Sequence, residues 1–228
     1  MSDPALAASG WTRHLVLALF AAVLCGCGVM FRGTLRPELF PRGTVTSAAP
    51  LKGRMALLVP PQVATTVNRG ERTGGRPSDL ELPIGRIVEA ALQLTLADAL
   101  SGGVSAVDRV PPADGGHVGT LVVDTVQCVD RVRLKWLLPV PLLGLVGDTE
   151  TDVQVSVDVR LLDTEGRTVW SRQYDDGRQV WQPRWLGYEA GPDAIVRLAH
   201  EAAWRVARRV ADDLRDAVAA DRNRPRSL

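Results

Sequence analysis

Within residues 151–161 the sequence alternates strictly, from Val153 onward, between apolar and polar side chains. The apolar positions are Val153, Val155, Val157, Val159 and Leu161, and the polar positions between them are Gln154, Ser156, Asp158 and Arg160. Because successive side chains of a strand point to opposite faces, this pattern predicts a β-strand with one buried face and one solvated face. The chain must therefore cover one face of a sheet and leave the other in water.

Further strands are predicted on both sides of this segment. Asp163-Thr164-Glu165-Gly166-Arg167 has the composition of a turn and leads into residues 168–174, so the two strands should form an antiparallel hairpin. Three upstream runs also have strand character: residues 54–60, 104–110 and 118–129. The Gly- and Pro-containing residues 61–79 are predicted to be a long loop.

Two helices are predicted from apolar residues at helical spacing. The first begins near Pro83 and ends at Ser101-Gly102-Gly103, with its apolar face formed by Ile84, Val88, Leu92, Leu96 and Leu100. The second begins near Pro192, and its apolar face is formed by Ile195, Ala199, Ala202, Val206, Val210 and Leu214. The predicted order is β-α-β-β-β-β-α. We therefore expect an α+β two-layer sandwich, with a mostly antiparallel sheet and both amphipathic helices on one face.

Composition and charge restrict the class of function. With 228 residues the chain is long enough for one domain plus appendages. Its 27 basic and 26 acidic residues give a net charge of +1, so nothing in the overall charge favours nucleic-acid binding, and none is expected. The three cysteines are Cys25, Cys27 and Cys128, which leaves no disulfide framework for a mature chain.

The N-terminus has the plan of a secretory signal. A polar start ending in Arg13 and His14 precedes an apolar run over residues 15–24, followed by Cys-Gly-Cys-Gly. Spanning a bilayer takes about 20 apolar residues, and this run is shorter. Two interpretations stay open: a cleaved signal, which we favour, and an uncleaved N-terminal anchor helix.

The end of this run resembles a bacterial lipoprotein signal. Leu24-Cys25-Gly26-Cys27 has an aliphatic residue three positions before Cys27 and a small residue just before it. The resemblance implies cleavage before Cys27 and attachment of diacylglycerol to its thiol, which anchors the chain in a membrane. Gly28 is not the Asp that the family associates with retention in the inner membrane, so an outer-membrane address facing the periplasm is implied.

These observations divide the chain into four parts. Residues 1–26 are the expected signal peptide, 27–50 a lipidated tether, 51–220 a periplasmic α+β domain, and 221–228 a flexible tail. The opening strand at 55–60, the hairpin at 157–170 and the closing helix resemble the layout of a group of envelope lipoproteins. This group comprises YajG-like lipoproteins, CsgG-like and PelC-like lipoproteins, and auxiliary lipoproteins of ABC-type lipid transport.

No residue pattern indicates catalysis or a bound cofactor. His117 and His200 have no partners at metal-ligand spacing, and the sequence contains no G-x-S-x-G, P-loop, G-x-G-x-x-G or H-E-x-x-H motif. Asp175 and Asp176 are adjacent, so on a strand they would point to opposite faces and could not act as a catalytic pair; we expect a solvated turn instead. Cys128 is expected to be a buried thiol. The arginines at 205–209 are expected to form ion pairs with Asp212, Asp213 and Asp216.

Two apolar segments are candidate surfaces for a partner or a ligand. Residues 134–146 read LKWLLPVPLLGLV and are too interrupted for a regular strand or helix. They are predicted either to fold back as core or to form a contact surface through Trp136, Leu137, Leu138, Leu142, Leu143 and Leu145. The second segment, residues 180–188, combines aromatic and basic side chains that suit either binding or capping a core: Trp181, Arg184, Trp185 and Tyr188.

The sequence as a whole favours a non-enzymatic function. We expect a lipid-anchored periplasmic lipoprotein that serves as scaffold or accessory subunit of an envelope assembly or transport system. Its partners would be the membrane and either an envelope protein or further copies of the same chain. The alternative is a carrier that binds a lipid or another apolar ligand.

Overall fold

The structure is a computed structural model that describes residues 31–41, 50–72, 80–110, 116–136, 147–183 and 190–222. The predicted signal peptide with Cys27 lies outside the described residues. So do residues 137–146, residues 184–189 and the end of the predicted tail.

The described chain contains eight strands and three helices. The strands are β1 (Phe31–Arg32), β2 (Arg54–Leu58), β3 (Arg69–Arg72), β4 (Leu80–Glu81), β5 (Val104–Val107), β6 (His117–Trp136), β7 (Gly147–Leu162) and β8 (Thr168–Pro183). The helices are α1 (Pro61–Ala64), α2 (Ile84–Ala99) and α3 (Ala190–Arg222), and a 3-10 turn covers Pro37–Leu39. The protein is therefore α+β.

Six strands form one mixed sheet with the order β5-β2-β6-β7-β8, and β3 also pairs with β6. β2 pairs in parallel with β5 and β6, and β3 pairs in parallel with β6, whereas β6, β7 and β8 are antiparallel to one another. β1 and β4 form a separate two-stranded parallel sheet. The sequence predicted the antiparallel part. It missed the parallel pairing of β2 with β5, which follows because the chain crosses from one to the other through α2.

The buried face that the alternation predicted for β7 is confirmed. Val153, Val155, Val157 and Val159 are all fully buried. The opposite face carries polar contacts between neighbouring strands. Arg160 Nε lies 2.6 Å from Asp124 Oδ2, and Gln173 Nε2 donates to Ser156 Oγ at 3.0 Å. One face of the long strands is thus apolar core, and the other is a polar surface.

The two long helices complete this core. α2 buries Ile87, Leu92 and Leu96, and α3 buries Val206, Val210 and Leu214. The helices pack on each other, and α3 also contacts β7 and β8. Gly85 makes the contact between α1 and α2 possible, because a Cβ at this position would lie only 2.0 Å from the carbonyl oxygen of Val63.

Several predicted boundaries differ from the structure. The segment 134–146 was expected to be irregular, but residues 134–136 continue β6, and β7 already begins at Gly147. β8 runs to Pro183, so Asp175 and Asp176 lie inside a strand and the predicted turn there is wrong. The predicted loop 61–79 contains α1 and β3 within its described part. Pairing with neighbouring strands extends these elements beyond what their local composition favours.

Candidate interaction surfaces

The structure describes few of the residues that the sequence singled out. Cys27 lies outside the described residues, as do Leu137, Leu138, Leu142, Leu143, Leu145, Arg184, Trp185 and Tyr188. Trp136 is the last residue of β6. Trp181 lies near the end of β8 with 46% of its surface exposed. Their roles in binding remain predictions.

The strand register brings the two candidate segments to one end of the sheet. Trp136 pairs with Gly147 at the end of the β6–β7 ladder, and Asp148 pairs with Pro183 at the end of the β7–β8 ladder. The last described residues of β6 and β8, Trp136 and Pro183, therefore lie at the same end of the sheet. No sequence pattern predicted that β6 and β8 end on the same side.

β8 is a long edge strand, which sequence analysis missed because it predicted only residues 168–174. It has 16 residues, and within the described parts of the chain it pairs with β7 alone. The carbonyl oxygen of Asp175 points away from β7, since it accepts a hydrogen bond from the Arg209 side chain. Peptide groups alternate in direction along a strand, so Gln173 and Gly177 also direct their main-chain groups to the edge opposite β7.

A polar contact fastens β8 to α3. Tyr174 OH and Arg172 Nη1 both donate to Asp213 Oδ2, each at 2.5 Å. Burial, and then the hydrogen bond to Asp213, raise the pKa of Tyr174, so it stays protonated. Burial alone would raise the pKa of Asp213, but the hydrogen bonds from Tyr174 and Arg172 outweigh it and lower the pKa. Asp213 is therefore a fixed anion.

A second charged cluster lies beside this contact. Asp176 on β8 is within 3.3 Å of Arg178 Nε and 3.4 Å of Arg205 Nε, and Arg209 lies 3.7 Å away. The sequence predicted that these helix arginines pair with acids one turn further along α3. The structure pairs Arg205 and Arg209 with Asp176 of the sheet, and Arg205 also pairs with Glu201 on the preceding turn of the helix at 3.6 Å. Within the helix, Arg215 lies 3.0 Å from Asp212.

Residues 31–41, here called the N-terminal strap, pack on the domain. The sequence placed them in a tether. β1 pairs with β4, and Gly33 N–H donates to the carbonyl oxygen of Glu81 at 2.8 Å. Phe40 is only 4% exposed. Its ring lies 5.2 Å from the His200 ring and 5.9 Å from the Trp204 ring, measured between centroids.

His200 is the polar centre of this contact. Its ring is fully buried, with Nδ1 2.7 Å from the carbonyl oxygen of Val196 and Nε2 accepting from the main-chain N–H of Arg36 at 3.0 Å. These partners fix a neutral ring with its proton on Nδ1. Burial lowers the pKa of His200, which favours the same neutral form.

A buried polar pair holds the entry to α2. Asn68 Nδ2 donates to Asp130 Oδ1 at 2.5 Å, and Asn68 Oδ1 accepts from the main-chain N–H of Leu82 at 2.6 Å. Cys128 lies on the same face of β6 and is 2% exposed, as the sequence predicted. Burial, with a smaller effect of Asp130, raises the pKa of the Cys128 thiol, so the thiol is protonated at neutral pH.

The described residues contain no group of three or more His, Cys, Asp or Glu side chains arranged to hold a metal ion. Of the helices in this part of the chain, none combines the length and hydropathy of a membrane span.

No protein-family model and no curated protein matches the sequence. Several solved structures are similar in fold. A Xanthomonas campestris protein of family DUF330 is 11% identical with a TM-score of 0.42, covering 84% of this chain and 97% of its own. A minor lipoprotein from Acinetobacter baumannii is 14% identical with a TM-score of 0.34, covering 75% and 94%. Rare lipoprotein B from Shewanella oneidensis is 16% identical with a TM-score of 0.31, covering 74% and 96%. Likeness at this level carries no function over to this chain.

Proposed function

We propose that this protein is a lipid-anchored, non-enzymatic lipoprotein that scaffolds an envelope assembly or transport system by offering the edge of β8 to a protein partner. The observation that carries the proposal is the 16-residue edge strand, in which alternate residues direct their main-chain groups away from β7. Of these groups, the Asp175 carbonyl oxygen already accepts a hydrogen bond from Arg209. Such an edge is a template for an added strand. A domain with a membrane anchor, and with a β8 edge that pairs with no second strand among the described residues, suits a scaffold.

The anchor is the part of the proposal that comes from the sequence. Cys27 carries the lipid, and two or more acyl chains make the attachment lasting. Gly28 favours the outer membrane, with the domain in the periplasm. In this arrangement α2 and α3 form one layer and the sheet the other, and the polar face of the sheet opposite these helices is in water.

The charges along β8 favour a protein partner over a bare apolar ligand. Arg172, Asp176 and Arg178 alternate in sign on the side that faces α3, where Asp213 and Arg205 hold them in place. Fixed charges of both signs next to an open edge restrict which strand can pair and in which register. Residues 137–146 and 184–189 are proposed to extend the contact at the end of the sheet.

In-cell crosslinking tests the proposed edge contact. A photoreactive residue replaces Gln173 at the β8 edge or, as a matched control, Gln127, which is exposed on β6 and pairs with Ser156 of β7 away from that edge. We expect a discrete crosslinked protein complex from position 173 and none from position 127. Equal crosslinking from both positions would contradict the proposal. Lipid copurifying in excess of the anchor would support the carrier function instead.

Proline at the same position tests whether main-chain pairing is involved. Gln173→Pro removes an N–H that points away from β7, so the ladder with β7 is kept. Gln173→Ala is the control, since it also removes the side-chain hydrogen bond to Ser156. The proline variant should lose the crosslinked complex, monitored from a probe at Ser171, while the alanine variant keeps it.

A further inference from the structure

We propose that the side of the domain formed by β1 and β4 lies directly against the phospholipid headgroups of the membrane that holds the anchor. This inference rests on the proposed lipidation of Cys27. It differs from the usual expectation for a long tether, in which a domain moves freely away from the bilayer.

The length of chain before the strap limits how far the domain can move. Only residues 28–30 separate Cys27 from Phe31, the first residue of β1. Four extended residue steps span at most about 14 Å. A lipidated Cys27 lies at the headgroup level because its acyl chains occupy the hydrocarbon core. Phe31 therefore stays within this distance of the membrane surface.

The strap itself adds no length to the tether, because it is fixed to the domain at three points. Gly33 N–H binds the carbonyl oxygen of Glu81, and Arg36 N–H binds His200 Nε2. Phe40 fills a buried position against His200 and Trp204. Leu35 and Leu39 pack against the main core as well. A predicted tether of residues 27–50 is thus reduced to three residues before β1.

The charges on this side neither attract nor repel a membrane strongly. Arg32 lies 3.7 Å from Glu81, and Arg36 lies 3.6 Å from Asp193. Each basic group has an acidic neighbour at the exposed surface. Contact with the bilayer is therefore imposed by the short chain and not by electrostatic attraction, so it should persist at high salt.

The opposite end of the sheet should lie well away from the bilayer. Leu82 contacts Asn68, Asn68 contacts Asp130, and Asp130 pairs with Val153 on β7. From Val153 the strand continues to Leu162 and the turn at 163–167. Nine strand residues span about 30 Å. A probe at Glu165 in this turn is thus a distant control for a probe at Arg32.

Fluorescence quenching in vesicles tests this orientation. The full-length lipidated protein is placed in phosphatidylethanolamine–phosphatidylglycerol vesicles that contain nitroxide headgroup lipids, in a Cys128→Ala background. A dye is attached to Arg32→Cys or to Glu165→Cys, both exposed positions. We expect the dye at 32 to lose most of its fluorescence and the dye at 165 to keep most of its own, with no change in 1 M NaCl. Equal quenching at both positions overturns the inference.

A linker variant and an anchor variant separate the two hypotheses. Inserting about 20 Gly/Ser residues after Gly28 gives a reach of about 25 Å and should remove the difference between the two dyes. If the insertion changes nothing, chain length does not set the orientation and the inference fails. If Cys27→Ser binds vesicles as well as the unaltered chain, the proposed lipidation fails. If vesicle binding requires Cys27 but the two dyes are quenched equally, only the proposed orientation is overturned.

Discussion

The Nε2 atom of His200 accepts a hydrogen bond from the main-chain N–H of Arg36, across 164 positions of the sequence. This bond joins the strap to the middle of α3. Because a protonated imidazole cannot accept a hydrogen bond, the contact exists only while His200 is neutral. The position of the strap, which leads to the proposed anchor, therefore depends on the charge of the buried His200 ring.

We predict that strap docking weakens in mild acid. Burial keeps the pKa of His200 below its usual 6.5 in the folded protein, and among the groups near it Arg36 lowers the pKa while Glu38 raises it. The unfolded chain thus binds more protons as pH falls below about 6.5, and folded stability decreases there. The protection factor of the Arg36 amide, which corrects for the slower intrinsic exchange at lower pH, should fall between pH 7.5 and 5. In His200→Gln, which keeps an acceptor but does not titrate, the pH dependence should be much weaker; an unchanged dependence contradicts the prediction.

Phe40 should contribute a large share of the strap's binding energy. Its side chain is buried against His200 and Trp204. Truncation of a buried phenylalanine to alanine costs about 3 kcal/mol or more. We expect Phe40→Ala to lower the free energy of unfolding by about this amount in urea denaturation, or to detach the strap and expose the Arg36 amide. Glu38→Ala, at an exposed position of the same turn, is the control and should change stability by less than about 0.5 kcal/mol.

The sequence predicted the parts of the fold that depend on local pattern. The alternation through Val157 located the buried face of β7, and the turn at 163–167 led into an antiparallel partner, as the register shows. α2 and α3 followed from apolar residues at helical spacing. Each of these signals lies within the element that it predicts.

The remaining features depend on partners that are distant in sequence. No local pattern indicates that Phe40 packs on Trp204 or that Asn68 binds Asp130. The extension of β8 through Asp176 to Pro183 depends on its ladder with β7 and on arginines of α3. The open edge and the fixed strap were therefore not predictable from the sequence pattern alone.

The hydroxyl of Tyr174 should stabilise the contact between β8 and α3. Its O–H donates to Asp213 Oδ2 from a buried position. Hydrogen bonds to charged groups contribute about 1.5 to 3 kcal/mol. We expect Tyr174→Phe to lower the free energy of unfolding by about 1.5 kcal/mol in urea denaturation. In an Asp213→Asn background, Tyr174→Phe should lower the free energy of unfolding by clearly less. An equal loss in both backgrounds would show that the hydroxyl acts through some other contact.

Residues 137–146 can be tested by replacing them with a short turn. β6 and β7 stay paired up to Trp136 and Gly147, so an Asn-Gly turn can close the hairpin directly. If these residues form a contact surface, the shortened protein should keep its melting temperature and lose the crosslinked complex that a probe at Ser171 captures. A matched variant that keeps the loop but changes Leu142 and Leu143 to serine should lose the complex in the same way. Unfolding of both variants would instead assign the segment to the core, because exposed apolar residues contribute little to stability whereas buried leucines contribute about 2 to 5 kcal/mol each.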